Sequence, residues 1–171
     1  MVPWMAPLPP DHIDTILAEW RRERPDLDVA PLGVLGRLFR TASLADAELA
    51  DAIGEHDLQP GWFDLLAALR RSGAPFELTP TRLLRSTLLS SGGMTKRLDR
   101  LAGAGLVARR PDPSDRRGTL VALTAKGKAV VDEAVVTHLS NEERILRSLS
   151  PTQRLALDDL LRVLLTDLEQ R

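Results

Sequence analysis

The sequence predicts a mainly α-helical chain with one small β-hairpin, and three observations carry that expectation. Aromatic residues make up only 4% of the 171 and tyrosine is absent, so leucine and alanine must fill most of the core, and both are strong helix formers. Apolar residues recur at three- and four-residue spacing along most of the chain, the period of a helix face. The period changes to short β-prone runs only at residues 106–110 and 119–123, on either side of a stretch dense in turn residues. Hydrophobic residues at 43% and charged residues at 27% give a globular balance, which excludes wholesale disorder.

Residues 1–10 hold four prolines and read as a loose arm. Asp11 is an N-cap candidate for a helix to about Arg24, with Ile13, Ile16, Leu17 and Trp20 on one stripe. Pro25 stops it. A long helical pattern runs over residues 31–56, with Leu35, Leu38, Phe39, Leu49 and Ile53 at helical spacing. Pro60 suits the first turn of the next helix, which carries Trp62, Leu65, Leu66 and Leu69 on one face and ends near Gly73. Thr79-Pro80 reads as an N-cap followed by proline at the first helical position. That helix is short, because Ser90-Ser91-Gly92-Gly93 interrupts it. Another follows over about 91–104, with Met94, Leu98 and Leu101 inward. The hairpin comes next, with residues 111–118 expected as a long, basic tip. Thr124 caps a helix to about Leu146, and Ser150-Pro151 opens a last, leucine-rich one. The order helix, turn, helix, hairpin, flanked by long terminal helices, is that of a winged helix-turn-helix. It suggests an arm at 1–10, N-terminal helices at 11–60, a central lobe at 61–123 and C-terminal helices at 124–171.

Net charge is −1, but its distribution is uneven. Residues 79–128 hold eleven lysines and arginines against Asp99, Asp112 and Asp115, a net of +8, which leaves −9 on the remainder. Such asymmetry points to an anionic partner for the middle of the chain, double-stranded DNA first. The second helix of a helix-turn-helix enters the major groove with its N-terminal residues toward base edges. Ser90, Ser91, Thr95, Lys96 and Arg100 are therefore the expected groove and phosphate contacts, since the apolar stripe takes the opposite face. Arg116 and Arg117, expected at the hairpin tip, can reach a minor groove, where negative potential attracts arginine. Asp115 is a poor phosphate contact, and its expected task is to accept a hydrogen bond that fixes the tip or aims an arginine.

Over residues 30–165, and most specifically in SSGGMTKRLDRLAGAGLVARRPDPSDRRGTLVALTAKG (90–127), the sequence resembles the MarR (multiple-antibiotic-resistance regulator) family of bacterial transcription factors. The family wing pattern D-x-R-x-x-x-V stands here as Asp115, Arg117 and Val121. The resemblance implies that Arg117 is the minor-groove arginine and Asp115 its support. It also implies a homodimer formed by terminal helices, bound to a pseudo-palindromic operator and released by a small molecule. One urate-responsive branch is similar in further detail, with an extra N-terminal helix bearing a tryptophan, an acidic residue before the DNA-binding unit and two arginines twelve residues apart. The matching residues here are Trp20, Asp64, Arg97 and Arg109. By that resemblance they would bind a urate-like, purine, phenolic or carboxylate effector, whose binding would move Arg97 and with it the recognition helix. Arginines pair bidentately with anionic planar ligands and tryptophan offers a stacking face. Other roles stay open for each: Trp20 as an anchor for its helix, Asp64 and Arg97 as partners in an internal salt bridge, Arg109 as a phosphate contact.

Other classes find little support. Without cysteine there are no disulfides, thiolate metal sites, catalytic thiols or thiol redox sensors. His12, His56 and His138 are scattered, and no HExxH, GxSxG, P-loop or GxGxxG pattern occurs, so no enzyme, metal site or cofactor is expected. No apolar run approaches the ~18 residues of a membrane span, and residues 1–10 lack signal-peptide features; a cytoplasmic protein is the expectation. A ligand-independent winged-helix protein, architectural or purely repressing, is the alternative.

Overall fold

The fold is a computed structural model that describes residues 8–87, 89 and 92–171, with the side chain of Arg116 outside the described part. The described elements run α1 (His12–Glu23), α2 (Ala30–Gly54), α3 (Trp62–Arg71), β1 (Glu77–Leu78), α4 (Pro80–Arg85), α5 (Met94–Gly103), β2 (Val107–Asp112), β3 (Asp115–Leu123), α6 (Ala125–Ile145) and α7 (Pro151–Glu169). Contacts divide the chain into two units, residues 1–47 and 48–171, with the division inside α2. No helix among the described residues is long and apolar enough to cross a membrane.

In the first unit, Asp11 caps α1 by accepting the amides of Ile13 and Asp14 at 2.8 and 3.0 Å, while the Asp14 carboxylate accepts from the Asp11 amide at 2.9 Å. This reciprocal box leaves both carboxylates facing α2. Arg37 takes them together, its Nε 2.8 Å from Asp11 and its Nη2 2.7 Å from Asp14. Both carboxyls lie below the usual carboxylate range, Asp11 chiefly through its bond to Arg37 and Asp14 chiefly through the Asp11 amide. Ile13 and Leu17 are buried against α2, where Gly36 and Gly33 leave the room their methyl groups fill. Trp20, on the expected stripe, stays 44% exposed.

The second unit is built round Leu65, Leu66, Leu69, Leu83, Leu101, Val121 and Val131, all fully buried. Thr79 caps α4 with proline at its first turn, Thr124 caps α6 through the Gly127 amide at 2.9 Å, and Ser150 forms a reciprocal box with Gln153 on α7. Three differences from the sequence reading have local causes. Pro60 precedes α3 rather than opening it, because Gly61, at φ +76, turns the chain first and α3 starts at Trp62. Gly93, at φ +78, likewise delays α5 to Met94. The third is the hairpin: β2 and β3 are longer than expected, and the tip shrinks to Pro113-Ser114. Asp112 accepts the Ser114 amide and hydroxyl at 2.8 and 2.6 Å, closing the turn early. Pro111, read as a turn residue, sits in β2 at a register shift; β2 is an edge strand, where a missing N–H is tolerated. The sheet order is β1-β3-β2, with β1 an unexpected two-residue strand pairing Glu77 with Ala122 and Leu78 with Val121.

α6 is locked onto the end of α5. The Thr124 amide and Lys126 Nζ donate to the carbonyls of Leu106 and Ala104, at 3.1 and 2.9 Å. Gly127 is buried there, and a Cβ built on it would overlap the Leu106 carbonyl oxygen. Backbone cannot swing aside as a flexible side chain can. Gly127→Ala is therefore expected to destabilise the protein by about 1–3 kcal/mol, read as a lower urea midpoint at unchanged slope.

Candidate nucleic-acid interface

The recognition surface starts from the amphipathic pattern of α5. Met94, Leu98 and Leu101 are buried, which turns Thr95, Lys96, Asp99 and Arg100 to solvent. Thr95, Lys96 and Arg100 thus occupy the outer face where the sequence placed them. Ser90 and Ser91 lie outside the described residues. Asp99 does not stand free on this face: its Oδ1 is 2.7 Å from Arg109 Nη2 on β2. That pair joins the helix to the hairpin.

The hairpin presents its charge from a strand rather than from a loop. Arg116 and Arg117, expected on the turn, both belong to β3, because backbone pairing resumes at Asp115 directly after the short tip. Between the pairs Asp112–Asp115 and Pro111–Thr119, β3 carries three extra residues, 116–118. This bulge bends the strand and re-aims its side chains. Asp115 Oδ1 accepts the Arg117 amide at 2.9 Å and fixes the bulge. Gly118 is required beside it, since a Cβ there would come within 2.9 Å of the Asp112 Cβ. Arg117 is exposed, and the Arg116 side chain lies outside the described part.

The four residues expected round an effector are placed differently from one another. Asp64 is half-buried and lines a cavity of 720 Å³ between α3, the end of α4 and α6. Arg97 and Arg109 are not among the residues lining it. Arg97 folds back over the start of its own helix, where Nη1 donates to the Gly92 carbonyl at 2.7 Å beside Gly61. Arg109 is held by Asp99. An internal Asp64–Arg97 salt bridge is absent among the described residues. Trp20 belongs to the other unit, where it lies between Glu19 and Glu23.

The cavity has its own chemistry. Phe63 and His138 form an aromatic pair, ring centres 4.5 Å apart and tilted by 38°. Val131 and Val135 extend the apolar wall, and Arg70, Arg71 and Arg85 contribute guanidinium groups. Asp132 adds a carboxylate that is held below the usual range by Lys128 first and Arg70 second. Apolar walls with a few convergent polar groups are the common make-up of small-molecule sites. Arg70, Arg71, Arg85, Asp132 and His138 were not singled out from the sequence as ligand contacts. They come from three helices spread over nearly seventy residues, and no spacing rule joins them.

Comparison with known proteins places this arrangement among regulators. Residues 56–118 match the MarR family. Over 150 residues the chain is 38% identical to the transcriptional regulator PecS of Dickeya dadantii, covering 88% of this chain and 90% of PecS. A MarR variant from Escherichia coli, solved in complex with operator DNA, superposes with a TM-score of 0.69 at 26% identity, over 85% of this chain and 97% of that one. BpsR of Bordetella bronchiseptica, described with regulation of its DNA binding by 6-hydroxynicotinic acid, superposes with a TM-score of 0.69 at 28% identity, over 81% and 95% of the two chains.

Proposed function

The chain belongs to the MarR family and is a DNA-binding transcriptional regulator, and from that premise we propose that it acts as a homodimeric repressor released from a pseudo-palindromic operator by a small anionic or aromatic metabolite. The observation that carries the DNA half is the joined surface of α5 and the hairpin, with Thr95, Lys96 and Arg100 outward on the helix and Arg117 on a bulge fixed by Asp115. A helix of this size fits the major groove, and an arginine one hairpin away reaches the flanking minor groove. Ser90, Ser91 and Arg116 belong to the same proposed surface. Phosphate contacts make such binding fall steeply with salt.

The dimer half rests on α7. This helix buries none of its residues within its own unit, and Leu155, Leu160, Val163 and Leu165 are each more than half exposed. A helix this apolar needs a partner, and two-fold pairing of identical chains is the commonest solution. Two-fold symmetry then sets two half-sites about one turn of DNA apart.

The effector half rests on the Asp64 cavity. Its guanidinium groups suit the anionic edge of a planar ligand and the Phe63–His138 pair suits its face. That chemistry fits the urate-like, purine, phenolic and carboxylate classes. Asp64 takes the donor edge, while Arg97 and Arg109 act through α5. Urate and 6-hydroxynicotinate are suitable probes in thermal denaturation, because a ligand that binds only the folded state raises its stability. The wild-type melting temperature is expected to rise with at least one of them, and Asp64→Ala to weaken that binding by about tenfold or more, the loss typical for a charge-assisted hydrogen bond. If neither probe shifts the wild type, the effector half is wrong.

A further inference from the structure

The cavity and the hairpin are joined by one chain of contacts. Arg70, on the cavity wall, donates from Nε to Asp132 Oδ1 at 2.6 Å. Lys128 Nζ takes the other Asp132 oxygen at 2.7 Å. Both cations also stand over the ring of Phe76, the Arg70 guanidinium at 5.0 Å and the Lys128 ammonium at 5.9 Å from its centre, within the range of cation–π attraction. Phe76 has φ +60, a left-handed backbone that a bulky residue holds only where its surroundings impose it. Here they do so from three sides: the cations over the ring, the Phe76 amide donating to the Gly73 carbonyl at 2.6 Å, and the Phe76 carbonyl accepting from the Leu123 amide at 3.0 Å. The next two residues form β1, paired to β3, and β3 is the strand that carries Arg117.

Resting on the effector cavity proposed above, we infer that Arg70 carries its occupancy to the hairpin, because an anionic ligand draws the guanidinium away from Asp132 and Phe76 and so releases the Phe76 turn that holds β1 on β3. Among the described residues only the Nε of Arg70 is engaged, so its two Nη groups supply the donors for a ligand. The ligand takes the place of Asp132 as the anionic partner of Arg70, while Asp132 keeps Lys128 as its own. What this exchange removes is the nearer of the two cations that hold the Phe76 ring. A ligand that binds better with Arg70 detached must favour the released state, which is the differential affinity that regulation requires.

The test uses the full-length dimer, a duplex operator, and 6-hydroxynicotinate with urate in parallel. Phe76→Leu keeps an apolar residue but removes the ring, and Phe76 does not line the cavity. Calorimetry should show that the variant binds probe at least as tightly as the wild type, because the ring no longer competes for Arg70. Operator affinity should fall tenfold or more with probe in the wild type, and less than twofold in Phe76→Leu. In the wild type, amide exchange at Leu123, whose N–H bonds the Phe76 carbonyl, should also accelerate severalfold when probe is added. A Phe76→Leu variant that binds probe and responds like the wild type would overturn the route, as would unchanged Leu123 exchange in a wild type that responds. If neither probe binds the wild type, the cavity reading falls, and this inference with it.

Discussion

Replacing Leu160 and Leu161 of α7 with glutamate should turn a dimer into a monomer that no longer holds its operator. Both leucines are solvent-exposed in the single chain, at 69% and 39%, on a helix with no buried residue. Burying a leucine side chain contributes about 1.5–3 kcal/mol. Scaled to the area each leaves exposed, four such side chains contribute about 3–6 kcal/mol to the interface when both chains carry both changes. That corresponds to a weakening of roughly hundredfold or more in dimer dissociation. The cost to folding within each chain should be small, because neither residue supports the core round Leu65, Leu69 and Val131. Sedimentation velocity checks the mass directly. A doubly substituted chain that still sediments as a dimer at micromolar concentration would show that α7 is not the pairing surface.

The second large effect is expected at the hairpin. Arg117→Ala should weaken operator binding by about thirtyfold or more, since a specific arginine contact is typically worth about 1–3 kcal/mol and a symmetric dimer loses two. Asp115 separates positioning from charge. Asp115→Ala frees the Arg117 amide and unpins the bulge, so it should weaken binding although it removes a negative charge. Asp115→Asn keeps an oxygen that can accept from that amide and should bind operator at least as well as the wild type. If Asp115→Ala binds more tightly instead, its role is simple repulsion of DNA and the bulge is not what aims Arg117. Fluorescence anisotropy on a labelled operator distinguishes these outcomes.

The parts of this fold that could be read from the sequence are those fixed by neighbours in the chain. Asp11, Thr79-Pro80, Thr124 and Ser150-Pro151 all cap the helices they were expected to cap, because a cap is a local bargain between one side chain and amides two or three residues on. The outward face of α5 followed from the spacing of Met94, Leu98 and Leu101. What escaped depends on distant partners. β1 is two residues long and exists only because β3 pairs with it. Pro111 read as a turn until the edge of a sheet gave it a place without an N–H. The link from Arg70 to Asp132 spans 62 residues, and the Phe76 backbone takes a conformation that no phenylalanine advertises. The bond from Arg97 to the Gly92 carbonyl was not legible either, since a backbone acceptor before the helix leaves no mark in side-chain spacing.

The most direct measurement is selection of binding sites from a pool of random duplexes by the wild-type protein, followed by affinity measurement at two salt concentrations. Enrichment of an inverted repeat is expected, with half-sites centred about 10–10.5 base pairs apart, an affinity that drops steeply with salt, and loss of enrichment with Arg117→Ala. Recovery of no common sequence at low salt, or of one that Arg117→Ala binds equally well, would contradict DNA recognition by α5 and the hairpin.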